Sequence, residues 1–577
     1  MSLTLHGIGV SKGIAIGKVR IIKHEPVEIT EYCLPNYALE EEIARFKNAV
    51  AMARQQLQHI RDKTPKDATV DIAAFIDAHL LMLDDSLLTR VPIDLINEHQ
   101  CNAEWALKMQ CDSIVQIFDK MDDPYLSSRK NDIEQVVVRI LRILRGCPDT
   151  SESVGPSLVN AIVLADDLSP ADTALMQHYG ILAFATEYGG TTSHTAILAR
   201  SLGIPAVVGL HRASPYIKHN DTVIVDGLQG VILVNLDVRS LRYYRMRQYE
   251  AKRYRAALTK IKNSPTITRD GMPITLQVNI EFPEDMDTVE RVGGKEIGLY
   301  RTEFLFMNRH SPPEEEEHFE AYSRVIRALK GDSVTIRTVD LGADKQVVDS
   351  HYHESSVTNP ALGLRAVRLC LKQPNLFKPQ MRAILRASAI GQVRMMIPMV
   401  CGLQEIIQVR HLLDEIRTEL RHQSIKFDPK MPYGVMVEVP AIALCIDLIA
   451  SHVDFLSLGT NDLIQYILAI DRGDAAVNYL YQPLHPAVLR LIKVSLDAAK
   501  KADKPISMCG EMASDVRYVR LLMGLGLRSF SVNPEAFLEI KQIINNSSIE
   551  GLAPLCNKIL NTTSQAEISK ILEMINV

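Results

Sequence analysis

The sequence predicts a multidomain α/β protein: a small α/β domain carrying an all-helical insertion, followed by a C-terminal (β/α)8 TIM barrel. Three observations predict it. Beyond Pro265, eight short apolar runs recur, each followed by a helical stretch, over about three hundred residues. Helical texture fills the chain from about Tyr37 to Arg145, and strand-rich segments flank it on both sides. One charged helical segment, 237–262, joins the two halves.

Residues 1–30 alternate apolar and polar positions with several glycines, which reads as short strands. Leu39, Ile43, Phe46, Val50, Ala53, Leu57 and Ile60 then step by four and three, an amphipathic helix with a narrow apolar seam. Pro65, Pro92 and Pro124 punctuate the stretch to Arg145, so the spacing predicts roughly four helices packed as antiparallel hairpins over 31–147. Strand signals return at LVNAIVLA, GILAFAT, AVVG, TVIVDG and GVILVN, so 1–30 and 148–234 form one small α/β domain. Residues 235–264 read as a linker helix. Its arginines and tyrosines are compatible with RNA, but a solvated connecting helix with snorkelling arginines is the commoner use of that pattern. The barrel, 265–577, has candidate strands at 274–280, 296–300, 334–339, 393–399, 433–439, 454–459, 505–510 and 528–533.

Composition excludes several function classes. Of 577 residues, 47% are hydrophobic and 23% charged, and the net charge of −5 calls for neither nucleic acid nor an anionic membrane. The N-terminal segment has no signal-peptide pattern, and no apolar run reaches the ~18 residues of a membrane span. The expected location is cytoplasmic. Nine scattered cysteines contain no Cys-x-x-Cys pair, which argues for reduced thiols rather than a disulfide framework or zinc site.

Two places carry chemistry. In Gly189-Gly190-Thr191-Thr192-Ser193-His194-Thr195-Ala196-Ile197-Leu198-Ala199-Arg200, glycines and hydroxyl residues run into a helix-forming stretch with a histidine at the junction. A helix N-terminus favours an anion, so His194 suits a phosphoryl acceptor; equally, Ser193 can be an N-cap and His194 a first-turn residue. The second place is the C-terminal end of the barrel strands, where active sites of this fold lie. Arg301, Arg337, Glu438, Asn461, Asp462, Cys509 and Glu511 fall there, with Arg472 shortly after. Arginine forks match phosphate and carboxylate oxygens, and the carboxylates of Glu438 and Asp462 suit Mg²⁺. Together they point to metal-assisted phosphoryl transfer. Cys509 either packs the strand end or protonates a departing enolate.

With those residues in view, the sequence resembles the Enzyme I family of the bacterial phosphoenolpyruvate-dependent sugar phosphotransferase system. The motifs that carry the resemblance are GGTTSHTAILARSLGIPAVVG, GLYRTEFLFM, NPALGLRAVR, QMRAILRAS, MVEVP, GTNDLIQY and MCGE, in that order along nearly the whole chain. The resemblance implies that phosphoenolpyruvate and Mg²⁺ bind the barrel, that His194 becomes a phosphohistidine, and that Cys509 donates the proton that completes pyruvate. The phosphoryl group then passes to a histidine of the carrier protein HPr. The family pattern implies Arg301, Arg337, Asn461 and Arg472 as substrate-binding, Glu438 and Asp462 as metal ligands, and Thr192, Arg365 and Arg382 as supporting residues. It further implies a swivelling phosphohistidine domain, a homodimer formed through the barrel, and carrier docking on the helical insertion near His79, Leu81 and Met82.

Some positions depart from the family pattern: Thr191, Ala343 and Asp474, and RKNDIEQVVVRIL at 129–141. Pyruvate phosphate dikinases and phosphoenolpyruvate synthases share the Thr-Ser-His segment and the barrel, but need a nucleotide-binding domain for which the residues before His194 leave no room. A docking protein without turnover would have lost acid, arginine or histidine residues, and none is missing. Output to a regulatory carrier in place of sugar uptake stays open.

Overall fold

The computed structural model describes residues 2–22, 29–63, 70–119, 124–146, 158–166, 168, 180–190, 196, 199, 203–211, 213, 215–306, 309, 311–342, 361–472, 474 and 477–576. The chain divides into two compact units, Met1–Arg253 and Tyr254–Val577.

In the first unit, β1 (Leu3–His6), β2 (Ile8–Ser11) and β3 (Ile14–Ile22) join β4 (Ala161–Ala165), β5 (Ala183–Thr186), β6 (Ala206–Val208), β7 (Thr222–Asp226) and β8 (Val231–Val234) in one eight-stranded sheet. Its order is β1-β8-β7-β3-β4-β5-β6-β2. The central run β3-β4-β5-β6 is parallel, and the remaining pairs are antiparallel. Parallel strands covered on both faces need unbroken apolar sequence, and every residue of β4, β5 and β6 is buried.

Between β3 and β4 the chain forms helices Leu39–Lys63, Val70–Met82, Ser86–Thr89, Val91–His99, Ala103–Asp119 and Pro124–Leu144. That is six where the spacing predicts about four. The short helix Ser86–Thr89 starts at Asp85, whose carboxylate accepts the Leu87 N–H at 2.9 Å, while Pro92 sits in the first turn of Val91–His99 and Pro124 opens the last helix, where the missing N–H costs nothing. The predicted seam is the buried face of the first helix, with Phe46, Ala53 and Leu57 fully enclosed.

Helix Val238–Lys260 occupies the expected linker. Arg247 explains part of its basic character without a nucleic acid, because it pairs at 2.7 Å with the fully buried Asp226 of β7.

The second unit contains β9 (Thr275–Ile280), β10 (Ile297–Tyr300), β11 (Val334–Arg337), β12 (Val393–Ile397), β13 (Tyr433–Val437), β14 (Phe455–Leu458), β15 (Ile506–Met508) and β16 (Ser529–Val532). They close into a barrel with every pair parallel. All eight predicted strands are present, and each lies within the bounds of its apolar run. Helices pack around them, as the βα alternation requires. The Glu314–Glu317 run begins helix Glu315–Ala328: Glu314 is its N-cap, and the Glu317 carboxylate accepts the Glu314 N–H at 2.8 Å. No described helix is long and apolar enough to cross a membrane.

Candidate active site

Residues that end a parallel strand face the mouth of the barrel, and this places most of the predicted set together. A cavity of about 350 Å³ opens there. Arg301 follows β10, Arg337 ends β11, Glu438 follows β13, Asn461 and Asp462 lie in the first turn after β14, and Cys509 follows β15; all line the cavity. Arg365 and Arg472 line it too.

Arg337 is its buried cation. Its guanidinium reaches Glu303 at 3.0 Å and Asp340 at 3.3 Å, while its Nε has no hydrogen-bond partner among the described residues. Burial alone would make the cation easier to deprotonate, but Glu303, Asp340, Glu438 and Asp462 outweigh it and hold the charge in place. Asp340 bridges to Arg365 at 2.8 Å, and Glu303 fixes the Asp340 backbone by accepting its N–H at 2.9 Å. Arg301 pairs with Glu281 at the exposed rim.

Glu438 is almost fully enclosed, and one carboxylate oxygen accepts the Met399 N–H at 2.6 Å. Met399 holds a left-handed backbone (φ 58°), uncommon for a side chain of its kind, to aim that N–H inward. Gly459 gives the carboxylate room: a Cβ there would lie 2.7 Å from its other oxygen. Burial, with Asp462 and Asp340 adding repulsion, pushes the Glu438 carboxyl well above the usual range.

Asn461 and Glu511 clasp each other, Nδ2 to carboxylate at 3.1 Å and backbone N–H to Oδ1 at 2.8 Å. Arg472 stands 3.7 Å from the same Glu511 carboxylate. The Cys509 thiol is buried and accepts a hydrogen bond from Ser457 at 3.3 Å. Burial raises its pKa, so it holds its proton at neutral pH.

Charge bears on whether a metal fits. Four arginines of the lining face six carboxyl groups (Glu281, Glu303, Asp340, Glu438, Asp462 and Glu511), so acids outnumber guanidiniums there. Among the described residues, no group of three or more His, Cys, Asp or Glu side chains converges as a ready-made metal cage. A hard cation that takes one or two protein carboxylates and completes its shell with substrate oxygens and water fits this set, and Glu438 with Asp462 would hold it.

Other predicted residues lie elsewhere. Arg382 is not at the mouth: helix Pro374–Ala387 turns its buried face, including Met381 and Ile384, to the barrel and sends Arg382 to Glu315 at 2.6 Å and Glu419 at 2.9 Å. Those neighbouring-helix carboxylates hold it away from any substrate at the cavity. His79 is only 4% exposed, 3.9 Å from the buried Asp132, which removes it from a docking surface; Leu81 on the same helix is 70% exposed and Met82 partly so. His194 and Thr192 lie outside the described residues, as do Thr191, Ala343 and the His351-Tyr352-His353 run. The chain enters that segment beyond the C-terminal end of β5, where Thr186 donates its hydroxyl hydrogen to the Tyr188 carbonyl at 2.6 Å and Gly189 takes a φ of 109°. Ala196 and Ala199 beyond it are helical and fully buried.

Sequence reasoning missed Glu303, Asp340 and Tyr466, whose hydroxyl accepts from Arg365 at 3.5 Å. The signal for the first two was available: each stands two or three residues after a chosen arginine, on a strand-to-helix loop at the same barrel mouth.

Residues 255–549 match the PEP-utilising enzyme, PEP-binding domain; 6–129 match the PEP-utilising enzyme, N-terminal family; and 159–230 match the PEP-utilising enzyme, mobile domain. A phosphoenolpyruvate-protein phosphotransferase of Cupriavidus necator is 42% identical over 575 residues, covering 98% of each chain. One from Listeria monocytogenes is 39% identical over 580 residues, covering 99% of each. Among solved structures, an NMR solution structure of an Enzyme I protein (nEIt) matches at 34% identity with a TM-score of 0.39, covering 43% of this chain and 99% of that one.

Proposed function

This chain belongs to the phosphoenolpyruvate–protein phosphotransferases, and from that premise we propose that it transfers the phosphoryl group of phosphoenolpyruvate to its own His194, then to a histidine of an HPr-type carrier, releasing pyruvate as the first step of sugar phosphotransfer. Phosphoenolpyruvate-dependent phosphotransfer follows from the family; the residue roles are the proposal. One observation carries them: arginine forks and two carboxyl groups, Glu438 and Asp462, line one barrel-mouth cavity beside the buried Cys509 thiol.

Arg301 and Arg337 take the phosphoryl oxygens, and Asn461 and Arg472 hold the rest of the phosphoenolpyruvate. Arg365, locked by Asp340, keeps Arg337 in register and adds positive potential. Glu438 and Asp462 would hold Mg²⁺, which when bound would neutralise charge at the phosphoryl oxygens. A His194 nitrogen forms the N–P bond as the bridging P–O bond breaks, and the electron pair leaves on the enolate of pyruvate. Cys509 gives its proton to the enolate carbon, completing the methyl group. Thr192 steadies His194 or its phosphoryl group. The same phosphohistidine then meets the carrier, for which Leu81 and Met82 offer an apolar contact, and a homodimer forms through the barrel unit.

Radiolabelled phosphoenolpyruvate tests the reading. Acid-labile, Mg²⁺-dependent label is expected on the wild type and absent from His194→Ala. Label that persists in His194→Ala overturns the assignment of the acceptor, and an absence of label on both overturns turnover itself.

A further inference from the structure

Residues 29–35 lead into the helical part of the first unit, and they are tied to the loop after helix Val91–His99 by a short antiparallel bridge. Tyr32 N–H donates to Asn102 Oδ1 at 3.2 Å, Asn102 Nδ2 donates to the Thr30 carbonyl at 3.2 Å, and Leu34 N–H donates to the Gln100 carbonyl at 2.7 Å. Gln100 takes a left-handed backbone (φ 50°), which turns the chain back to make that last bond. The residues brought face to face are Cys33 and Cys101.

The register decides what these two thiols can do. A bond from Leu34 to Gln100 lies outside the pair, so Cys33 and Cys101 occupy a non-hydrogen-bonded position of the bridge. Cα atoms stand about 4.5 Å apart at such positions, with both side chains on one face. A disulfide accepts Cα separations of about 4.4–6.8 Å, so the bond needs side-chain rotation and no backbone displacement. Their environments differ: Cys33 is exposed, and Cys101 is 1% exposed with its thiol 3.9 Å from the Leu95 carbonyl. An oxidant in solution reaches only the first.

We propose that Cys33 and Cys101 are a reversible redox modification site, closed to a disulfide by a peroxide and reopened by thiols. The Cys33 sulfur attacks the peroxide O–O bond, becoming a sulfenic acid and releasing water. Cys101 then attacks that sulfur, the S–S bond forms, and a second water leaves. Two thiols and one peroxide thus give one disulfide and two waters, and a dithiol reductant reverses the exchange. Burial raises the Cys101 thiol and shields it from solvent, so the exposed Cys33 is the thiol that meets the oxidant first. Once closed, the bond staples the segment before helix Leu39–Lys63 to the loop before helix Ala103–Asp119, joining points far apart in sequence and restricting the unfolded chain.

The inference stands independently of the phosphotransfer reading, and its test uses the full-length reduced protein titrated with hydrogen peroxide. The expected result is a loss of two hydrogens in mass, a Cys33–Cys101 peptide on a non-reducing map, full reversal by dithiothreitol, and later unfolding of the helical segment in the oxidised form. Cys33→Ser, at an exposed position, should abolish all four while leaving the circular dichroism unchanged; Cys101→Ala should leave Cys33 to accumulate as a sulfenic acid trappable by dimedone. Peroxide that oxygenates Cys33 of the folded wild type while Cys101 stays free to alkylation would overturn the proposal, as would a disulfide mapped to other cysteines.

Discussion

Two clusters of buried charge, one in the helical bundle and one at the barrel mouth, use the same residue types to opposite ends. In the bundle, Arg45 sits between Glu42 at 2.6 Å and Glu104 at 2.7 Å, and its remaining N–H groups reach the Leu144 carbonyl and the same carboxylates. The carboxylates are capped in turn: Glu42 accepts Ala103 N–H at 2.7 Å and Glu104 accepts Asn102 Nδ2 at 3.0 Å. At the barrel mouth the Arg337 Nε is left without a partner among the described residues. One cluster answers its own hydrogen bonds; the other keeps capacity for a ligand and a cation. Buried polar groups left open in this way are costly, and a fold retains them where they do chemistry.

Replacing the central cation of each cluster should separate them most. Arg337→Gln is expected to lower the rate of protein phosphorylation from phosphoenolpyruvate by about 10³-fold, the scale of losing one preorganised donor to a transition-state oxyanion. Arg45→Gln should leave that rate within about twofold and cost roughly 1–2 kcal/mol of stability, discounted for its partial exposure. Initial rates and melting curves on both variants check it; an equal loss of activity in the two would erase the distinction.

Cys509→Ala probes a neutral member of the open site. Pyruvate formation should fall about 10²-fold, as for the loss of a positioned general acid, with Mg²⁺-dependent substrate binding little changed. Coupled detection of pyruvate beside equilibrium binding distinguishes this from a packing role, which would weaken both.

Legibility in the sequence divides along the same line. The eight barrel strands were legible, because parallel strands buried on both faces read as apolar runs of fixed length. Arg301, Arg337, Glu438, Asp462 and Cys509 were too, because a charged or reactive residue directly after such a run must face the mouth. Arg382 was not, because its motif lies on a helix, and which side of that helix meets the barrel depends on Met381 and Ile384 packing inward. His79 misled for a related reason: helix Val70–Met82 is apolar nearly all round, so its sequence does not tell the inner face from the outer. Glu303 and Asp340 each follow a chosen arginine by two or three residues, so their place at the mouth was legible; that Glu303 pairs with Arg337 and Asp340 with Arg365 was not, because the fold brings those partners together from separate elements.

Neutral substitutions of one carboxylate in each cluster should move stability in opposite directions. In metal-free protein, Glu438→Gln keeps an acceptor for the Met399 N–H and removes repulsion from Asp462 and Asp340, so the barrel should gain about 1 kcal/mol while phosphotransfer is lost. Glu104→Gln breaks a satisfied pair with Arg45 and should cost the bundle about 1 kcal/mol. Chemical denaturation in EDTA, followed by probes in each unit, reads both; destabilisation by Glu438→Gln would remove the idea that the open cluster carries a standing cost.

The smallest expected effect is the acid behaviour of the closed cluster. Burial tends to raise the Glu104 carboxyl, but hydrogen bonds from Arg45, its own backbone and Asn102, with the Arg45 charge, outweigh burial and hold it below the usual 4.5. A carboxyl whose folded pKa is depressed binds its proton more readily in the unfolded chain. Its stabilisation is therefore complete above the unfolded value and is lost as pH falls through the folded one. Hydrogen exchange of the Phe46–Ile60 amides, followed from about pH 6 to pH 3, should show the wild type losing its advantage over Glu104→Gln, a change below ~1 kcal/mol for a partly solvated pair. A wild-type advantage that stays constant across that range would mean that the pair with Arg45 holds its geometry without holding the charge.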